Sequence, residues 1–264
     1  RGWTRETFAF ALAVQNLAWG VAGPFAGGLA DRFGAFRVLI VGSLLYAAGL
    51  VLMALATSGA AFTGSAGLLL GMAQSGTTYA VVYGVIGRNV APEKRSWAMG
   101  VAAAAGSFGQ FLMVPVENWL IGSFGWQSAL FILGCLALAI VPLAAGLREP
   151  AAARHTGHHQ SVAQATREAF GHRSFQLLTA GYFVCGFQVV FIGVHMPSYL
   201  KDHGLSPEVA TVALALIGLF NVVGTYAAGV LGGRFSKPFI LSGIYGLRAI
   251  AIAIFISVPL TPWS

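Results

Sequence analysis

"GGLADRFG" (Gly27–Gly34) decides how the rest of the chain is read. It sets a carboxylate and a guanidinium side by side between two long uncharged runs. Before it, Glu6 to Asp31 encloses 24 uncharged residues, and after it Arg37 to Arg88 encloses 50. A helix that crosses a bilayer needs roughly 20 predominantly apolar residues. The loop therefore joins one membrane span to the next. The 50-residue run holds two spans, with "ATSGAA" (Ala56–Ala61) as the break.

The same spacing continues along the chain. Arg95 to Glu117 encloses 21 uncharged residues, Glu117 to Arg148 encloses 30, Arg173 to Lys201 encloses 27 and Glu208 to Arg234 encloses 25. With the final apolar segment, this predicts eight helices, near 7–30, 38–57, 62–87, 96–116, 125–147, 174–199, 207–232 and 238–258. Strands of a membrane barrel would alternate over about ten residues, and these runs do not. The fold class is an all-α membrane protein. Composition agrees: 57% of the residues are hydrophobic and 9% charged, where a soluble domain carries about a quarter charged.

A net charge of +7 invites a nucleic-acid reading, but the placement of the charges excludes it. If the first span is entered from outside, eleven of the 15 basic residues fall in inner loops: Arg32, Arg37, Arg88, Lys94, Arg95, Arg148, Arg154, Arg167, Arg173, Arg234 and Lys237. Arg1, Arg5 and Lys201 lie outside. This is the positive-inside pattern, so the basic balance reports topology. The expected setting is a multi-pass protein of the bacterial inner membrane.

The loop recurs. A shift of 202 residues places "GWTRE" (Gly2–Glu6) on "GLSPE" (Gly204–Glu208) and "GGLADRFG" on "GVLGGRFS" (Gly229–Ser236). Gly27, Leu29, Arg32 and Phe33 match Gly229, Leu231, Arg234 and Phe235. Thr4 and Ser206 fall where a helix N-cap is needed, with Glu6 and Glu208 in the favourable first turn. Repeated halves in a helical membrane protein point to a transporter, with a site between the halves. A whole helix precedes the second copy and none precedes the first, so one further N-terminal helix is expected. The domain reading is a partial N-terminal bundle at 1–147, a cytoplasmic linker at 148–173 and a partial C-terminal bundle at 174–264.

"GGLADRFGAFR" (Gly27–Arg37) resembles the G-x-L-x-D-R-x-G loop between helices two and three of the major facilitator superfamily. Leu29, Asp31, Arg32 and Gly34 carry the match, with the degenerate second copy in support. "GWTRETFAFALAVQNLAWG" and "GWQSALFILG" resemble the bacterial monocarboxylate-porter and oxalate–formate-antiporter group. The resemblance implies a twelve-helix fold of which this chain covers helices two to nine. It also implies that the loop latches one conformation of a rocking transporter. Gly28 and Gly34 allow close helix approach and a tight turn. Asp31, costly if left unpaired at the cytoplasmic mouth, would pair with a basic residue on one side of the movement. Arg88 is the expected partner, and Arg32 completes the loop. Free snorkelling of these loop charges is the plainer alternative. The second copy has Gly233 in place of Asp31 and should lack the latch.

The resemblance also has departures. Monocarboxylate porters carry an Asp and an Arg four apart on helix eight, where this chain has Asn221 and Thr225. Proton–drug antiporters carry a glycine-proline motif on helix five, and it is missing between 96 and 116.

Polar residues in the spans are the candidate solute contacts. Asn16 and Gln74 lie near the middle of their helices, as do Gln188, Asn221 and Arg248, while Gln110 and His195 lie nearer the outer side. Each buried amide needs a partner in lipid, and each can equally be an interhelical contact. Together they suit a polar central cavity. His195 could carry a coupling proton or simply bond a carbonyl. Arg248 stands alone: it lies about 16 Å of helix from either end of its span, too deep to snorkel comfortably. It should point inward, toward the helices at 174–199 and 207–232, and it needs an acceptor. A transported carboxylate would serve, because a guanidinium and a carboxylate match in pairs of hydrogen-bonding atoms. A structural role for Arg248 is the other reading.

His155, His158 and His159 cluster in the linker, but no Cys or carboxylate completes a metal set. No metal and no cofactor is expected. Cys135 and Cys185 read as small packing residues. The chain has no H-E-x-x-H pair, no Walker A loop and no paired intramembrane carboxylates, so it is not read as an enzyme. The expected function is secondary transport of a small organic anion, a monocarboxylate, by a monomer in the lipid bilayer, with a proton as the candidate coupling ion. A transporter for another solute class, a drug or a sugar, is the alternative, with a membrane enzyme more remote.

Overall fold

A computed structural model describes residues 4–148 and 161–258. The linker histidines His155, His158 and His159, with Gly2, Arg1 and Arg154, lie outside the described residues. The described residues are helical almost throughout, without strands. In chain order the helices are α1 (Arg5–Phe33), α2 (Ala35–Leu55), α3 (Gly59–Phe62), a π-helical stretch (Thr63–Leu69), α4 (Leu70–Thr77) and α5 (Tyr79–Asn89). There follow α6 (Pro92–Ala137), α7 (Ile140–Ala144), α8 (Val162–Gly171), α9 (Arg173–Asp202), α10 (Pro207–Leu231) and α11 (Lys237–Ser257).

Six stretches among the described residues are long and apolar enough to cross a membrane. The sequence predicted eight, and the difference has two physical sources. The segment 62–87 is helical but interrupted, first by the π turn and then at Thr78, whose backbone is extended (φ −110°, ψ −164°). Helix runs without a gap through 59–77, changes from α to π and back within it, and resumes at Tyr79. The segments 96–116 and 125–147 remain two helices, as the sequence predicted, but they abut without a loop at Gly125, whose backbone is not helical (φ 76°, ψ 160°). That φ is open to glycine and strained for other residues. The 46 residues of this stretch are more than twice what one crossing needs, so Gly125 divides two crossings.

The internal repeat is reproduced in the helix boundaries. Shifted by 202 residues, α2 becomes 237–257, which is α11 from end to end. α1 shifted in the same way begins at 207, the first residue of α10. The expected caps divide. Thr4 accepts a hydrogen bond from the Thr7 backbone N–H at 3.4 Å. Ser206 occupies the N-cap position of α10 without capping the backbone. Its hydroxyl engages the Glu208 carboxylate instead.

The chain forms two compact units, 1–89 with 119–181, and 90–118 with 182–264. In the first, the segment 59–77 packs against both α1 and α2. Glycine makes this possible on both sides. A Cβ on Gly71 would lie 2.4 Å from the Gln15 carbonyl oxygen, and one on Gly67 would lie 3.0 Å from that of Ala11. On the other side, a Cβ on Gly42 would meet the Thr77 methyl at 2.8 Å. Gly67 and Gly71 form a G-x-x-x-G pair, the spacing that brings membrane helices into backbone contact. Cross-helix hydrogen bonds add to this: Ser43 Oγ donates to the Ala137 carbonyl at 2.8 Å and Gln127 Nε2 to that of Ala54 at 3.1 Å.

The second unit uses the same device. The first part of α6 lies on α10, where a Cβ on either Gly100 or Gly229 would come within 2.6 Å of the other residue's Cα. Ser96 Oγ donates to the Gly229 carbonyl at 3.0 Å.

Candidate functional site

The loop that decides the fold ends in a bend at Gly34 (φ 88°), whose N–H closes on the Ala30 carbonyl at 2.9 Å. A positive φ there lets α1 stop and α2 start within one residue. Gly28 sits half-buried in α1, one turn before Arg32. Asp31 stands in the last turn of α1 and forms an ion pair with Arg88, in the last turn of α5. The carboxylate is mostly exposed and the guanidinium mostly covered. Arg88 lies back over Gly84, where a Cβ would come 3.2 Å from Nη1. Arg32 turns away from this pair and lies 5.3 Å from the Phe33 ring centroid.

Deeper in the same unit, the break at Thr78 gathers polar groups. The Trp19 indole N–H donates to the Thr78 hydroxyl at 3.2 Å, and that hydroxyl donates to the Gln74 carbonyl at 2.9 Å. Gln74 is half-buried. Asn16, one turn from Trp19, uses its amide on its own helix, donating to the Leu12 carbonyl at 2.9 Å.

In the second unit, Arg248 lies in the middle of α11, and its hydrogen bonds go to α9. Nη1 donates to Gln188 Oε1 at 3.2 Å and to Cys185 Sγ at 3.4 Å. None goes to α10, the other helix expected to face it. Both acceptors are neutral, and Nε and Nη2 hydrogen-bond to no described residue. Cys185 and Gln188 are three apart, so both lie on one face of α9. Tyr245, one turn before Arg248, lies beside Cys185. The sequence reading missed both of these. Cys185 looks like a packing residue until the rotation of α9 is known. Tyr245 could have been found from its i, i+3 relation to the arginine.

The remaining candidates are spread. His195 is on α9, exposed, with its ring centroid 4.7 Å from that of Phe191. Asn221 is exposed on α10, and its carbonyl accepts from the Thr225 hydroxyl at 2.6 Å. Gln110 is exposed on α6.

A repeated array of membrane-spanning helices, with an ion-paired loop at one end and a lone guanidinium in mid-span, defines a polytopic helical membrane protein of the transporter type. The chain belongs to the Major Facilitator Superfamily, which it matches over residues 1–264. It is 28% identical over 234 residues to monocarboxylate transporter 13 of Rattus norvegicus, covering 86% of this chain and 51% of that protein. It is 27% identical over 257 residues to monocarboxylate transporter 11 of Mus musculus, covering 93% and 55%. An uncharacterized MFS-type transporter of Bacillus subtilis, YcxA, is 24% identical over 267 residues, covering 94% and 61%. The chain spans about half the length of the monocarboxylate transporters that it matches.

Proposed function

We propose that this chain is part of a secondary transporter that moves a small monocarboxylate across the membrane by alternating access. Family membership supports the transport reading, and the names of the relatives support the solute class. One observation carries it to this chain's own residues. Arg248 is held at mid-span by two neutral acceptors, and Nε and Nη2 have no hydrogen-bond partner among the described residues. A guanidinium at that depth costs about 2.5–3.5 kcal/mol on insertion scales, and no carboxylate among the described residues pairs with it. A solute carboxylate would supply the counter-charge, with Gln188 holding the guanidinium in place. The conformational cycle would move the halves 1–147 and 174–264, a division that the 202-residue repeat supports. The Asp31–Arg88 pair is the cytoplasmic latch of this reading, with Gly28, Arg32 and Gly34 shaping its loop. Asn16, Gln74, Gln110, Asn221 and His195 are the further candidate contacts, His195 also for a coupling proton. The protein would act as a monomer in the bacterial inner membrane, and not as an enzyme.

Uptake of radiolabelled carboxylates by the full-length protein in proteoliposomes, with and without a pH gradient, tests this. Arg248→Lys should retain weakened anion affinity and Arg248→Gln should lose it, with both proteins still inserted. Parent-like uptake by both variants would remove the arginine from solute binding.

A further inference from the structure

Cys185 and Gln188 mark the face of α9 that meets Arg248. At 3.6 residues per turn, the same face continues through Phe191, about one turn further out, and His195, about two turns out. These positions stand about 4.5 and 10 Å beyond Gln188 along the helix axis. They are not isolated side chains. Phe191 and His195 have ring centroids 4.7 Å apart, and Phe187 stacks on Phe191 at 5.9 Å with an interplanar angle of 19°. Phe191 is 53% exposed, so the described residues leave about half of it uncovered.

An exposed phenylalanine on a membrane helix ordinarily faces lipid. The neighbours on this strip argue otherwise. A glutamine, a guanidinium and an imidazole share it, and each is costly in hydrocarbon. A strip that carries all three borders protein or water, and Phe191 lies between them. The strip therefore has one cationic end and an aromatic wall running outward from it.

We infer that the transported solute is a monocarboxylate with a ring-bearing apolar tail. Its carboxylate would lie at Arg248 and its ring against Phe191 and His195. This rests on the proposed anion reading of Arg248 and extends it to the rest of the molecule. The charge count sets the valence. Arg248 is the one charged side chain away from the ends of α9, α10 and α11, so a second carboxylate on the solute would be buried without a partner. The ring geometry sets the tail. Aromatic pairs favour offset or edge-to-face contacts with centroids 4.5–7 Å apart, and the tilted Phe191–His195 pair offers both a face and an edge. A two-carbon acid would reach Arg248 and leave that wall unused.

The test uses the full-length protein in proteoliposomes, with radiolabelled acetate, phenylacetate and succinate. Phenylacetate should have a KM at least ten-fold below that of acetate, and succinate should be carried poorly. Phe191→Ala should raise the KM for phenylacetate about ten-fold and leave that for acetate within two-fold. Phe191→Tyr should keep the parent preference, which separates lost ring contact from a folding defect. Equal KM values for acetate and phenylacetate in the parent, or equal effects of Phe191→Ala on both, would overturn the ring inference. Arg248→Gln separates the two claims. Loss of both acids with no ring preference in the parent leaves the anion reading standing alone. Unchanged transport of both acids in Arg248→Gln removes the anion reading and this inference with it.

Discussion

The Arg88 guanidinium meets the Asp31 carboxylate at the point where α1 and α5 both end. The two residues are 57 positions apart, and the intervening chain crosses the membrane region and returns. The pair therefore fastens two helix ends that no short loop connects. Its carboxylate is 68% exposed, which limits its strength: exposed ion pairs contribute about 0.2–1 kcal/mol. Such a pair is too weak to hold the fold together. It is strong enough to bias two conformations of similar energy.

Asp31→Asn should therefore change the balance of conformations by up to about five-fold, which corresponds to roughly 1 kcal/mol. Uptake should slow while the protein still inserts and folds. Labelling of single cysteines on the two sides of the membrane reads the balance directly. Unchanged labelling together with unchanged uptake would count against a latch.

Gly84 offers a second approach to the same pair without touching either charge. A methyl group at Gly84 would sit 3.2 Å from Arg88 Nη1, closer than ordinary contact, and the flexible guanidinium would shift. Gly84→Ala should thus resemble Asp31→Asn in direction, with a smaller effect. The double variant should behave like Asp31→Asn alone, since neighbours that act through one contact do not add. Additive effects in the labelling measurement would mean that Gly84 acts by another route.

This ion pair was legible in the sequence because its parts are charges, and charges are rare in these spans. An aspartate and an arginine that both end apolar runs on one side of the membrane are natural partners. α2 and α11 were legible for a related reason: each was expected just after a charge, at 38–57 and 238–258, within three residues of its observed ends. The break at Thr78 was not. "AQSGTTYAVV" (Ala73–Val82) contains no proline, and nothing local forces an extended residue there. The Trp19–Thr78 hydrogen bond accompanies the break and is tertiary. The division at Gly125 was legible, since the predicted segment 125–147 starts there, and its φ of 76° is one that glycine adopts freely. Arg248 was legible by depth alone. Its acceptors depend on how α9 is rotated, and an apolar helix with polar residues on several sides does not declare that rotation.

The glycines that seat the segment 59–77 can be separated from those that merely occur in helices. Gly71→Ala would drive a Cβ to 2.4 Å from the Gln15 carbonyl oxygen and 2.8 Å from the Ala18 methyl. Backbone cannot yield as a side chain can, so the change should destabilise the protein by about 1–3 kcal/mol, as overpacking does. Gly20 has nothing within 4 Å of its Cβ position. Gly20→Ala should be neutral or stabilising by up to about 1 kcal/mol, because alanine is the better helix former. Thermal unfolding of the two variants in detergent compares them, and similar losses for both would refute the packing assignment.

Gln188 gives the strictest test of why Arg248 is where it is. In the parent, Gln188 Oε1 accepts from Arg248 Nη1 at 3.2 Å and carries no charge. Gln188→Glu keeps the shape and puts a carboxylate at that position. If Arg248 is structural, a charged acceptor should strengthen the α9–α11 contact and leave transport nearly unchanged. If Arg248 awaits a solute carboxylate, the introduced one competes for the same guanidinium. Solute affinity should then fall by at least ten-fold at neutral pH, while thermal stability holds or rises. The pH dependence has a definite sign. Protonating the introduced carboxylate removes its charge and restores a neutral acceptor, so affinity should recover as pH falls. Gln188→Leu separates charge from lost hydrogen bonding: it removes the acceptor at every pH and should show no recovery. Gln188→Glu with parent-like affinity across the pH range would assign Arg248 to structure alone.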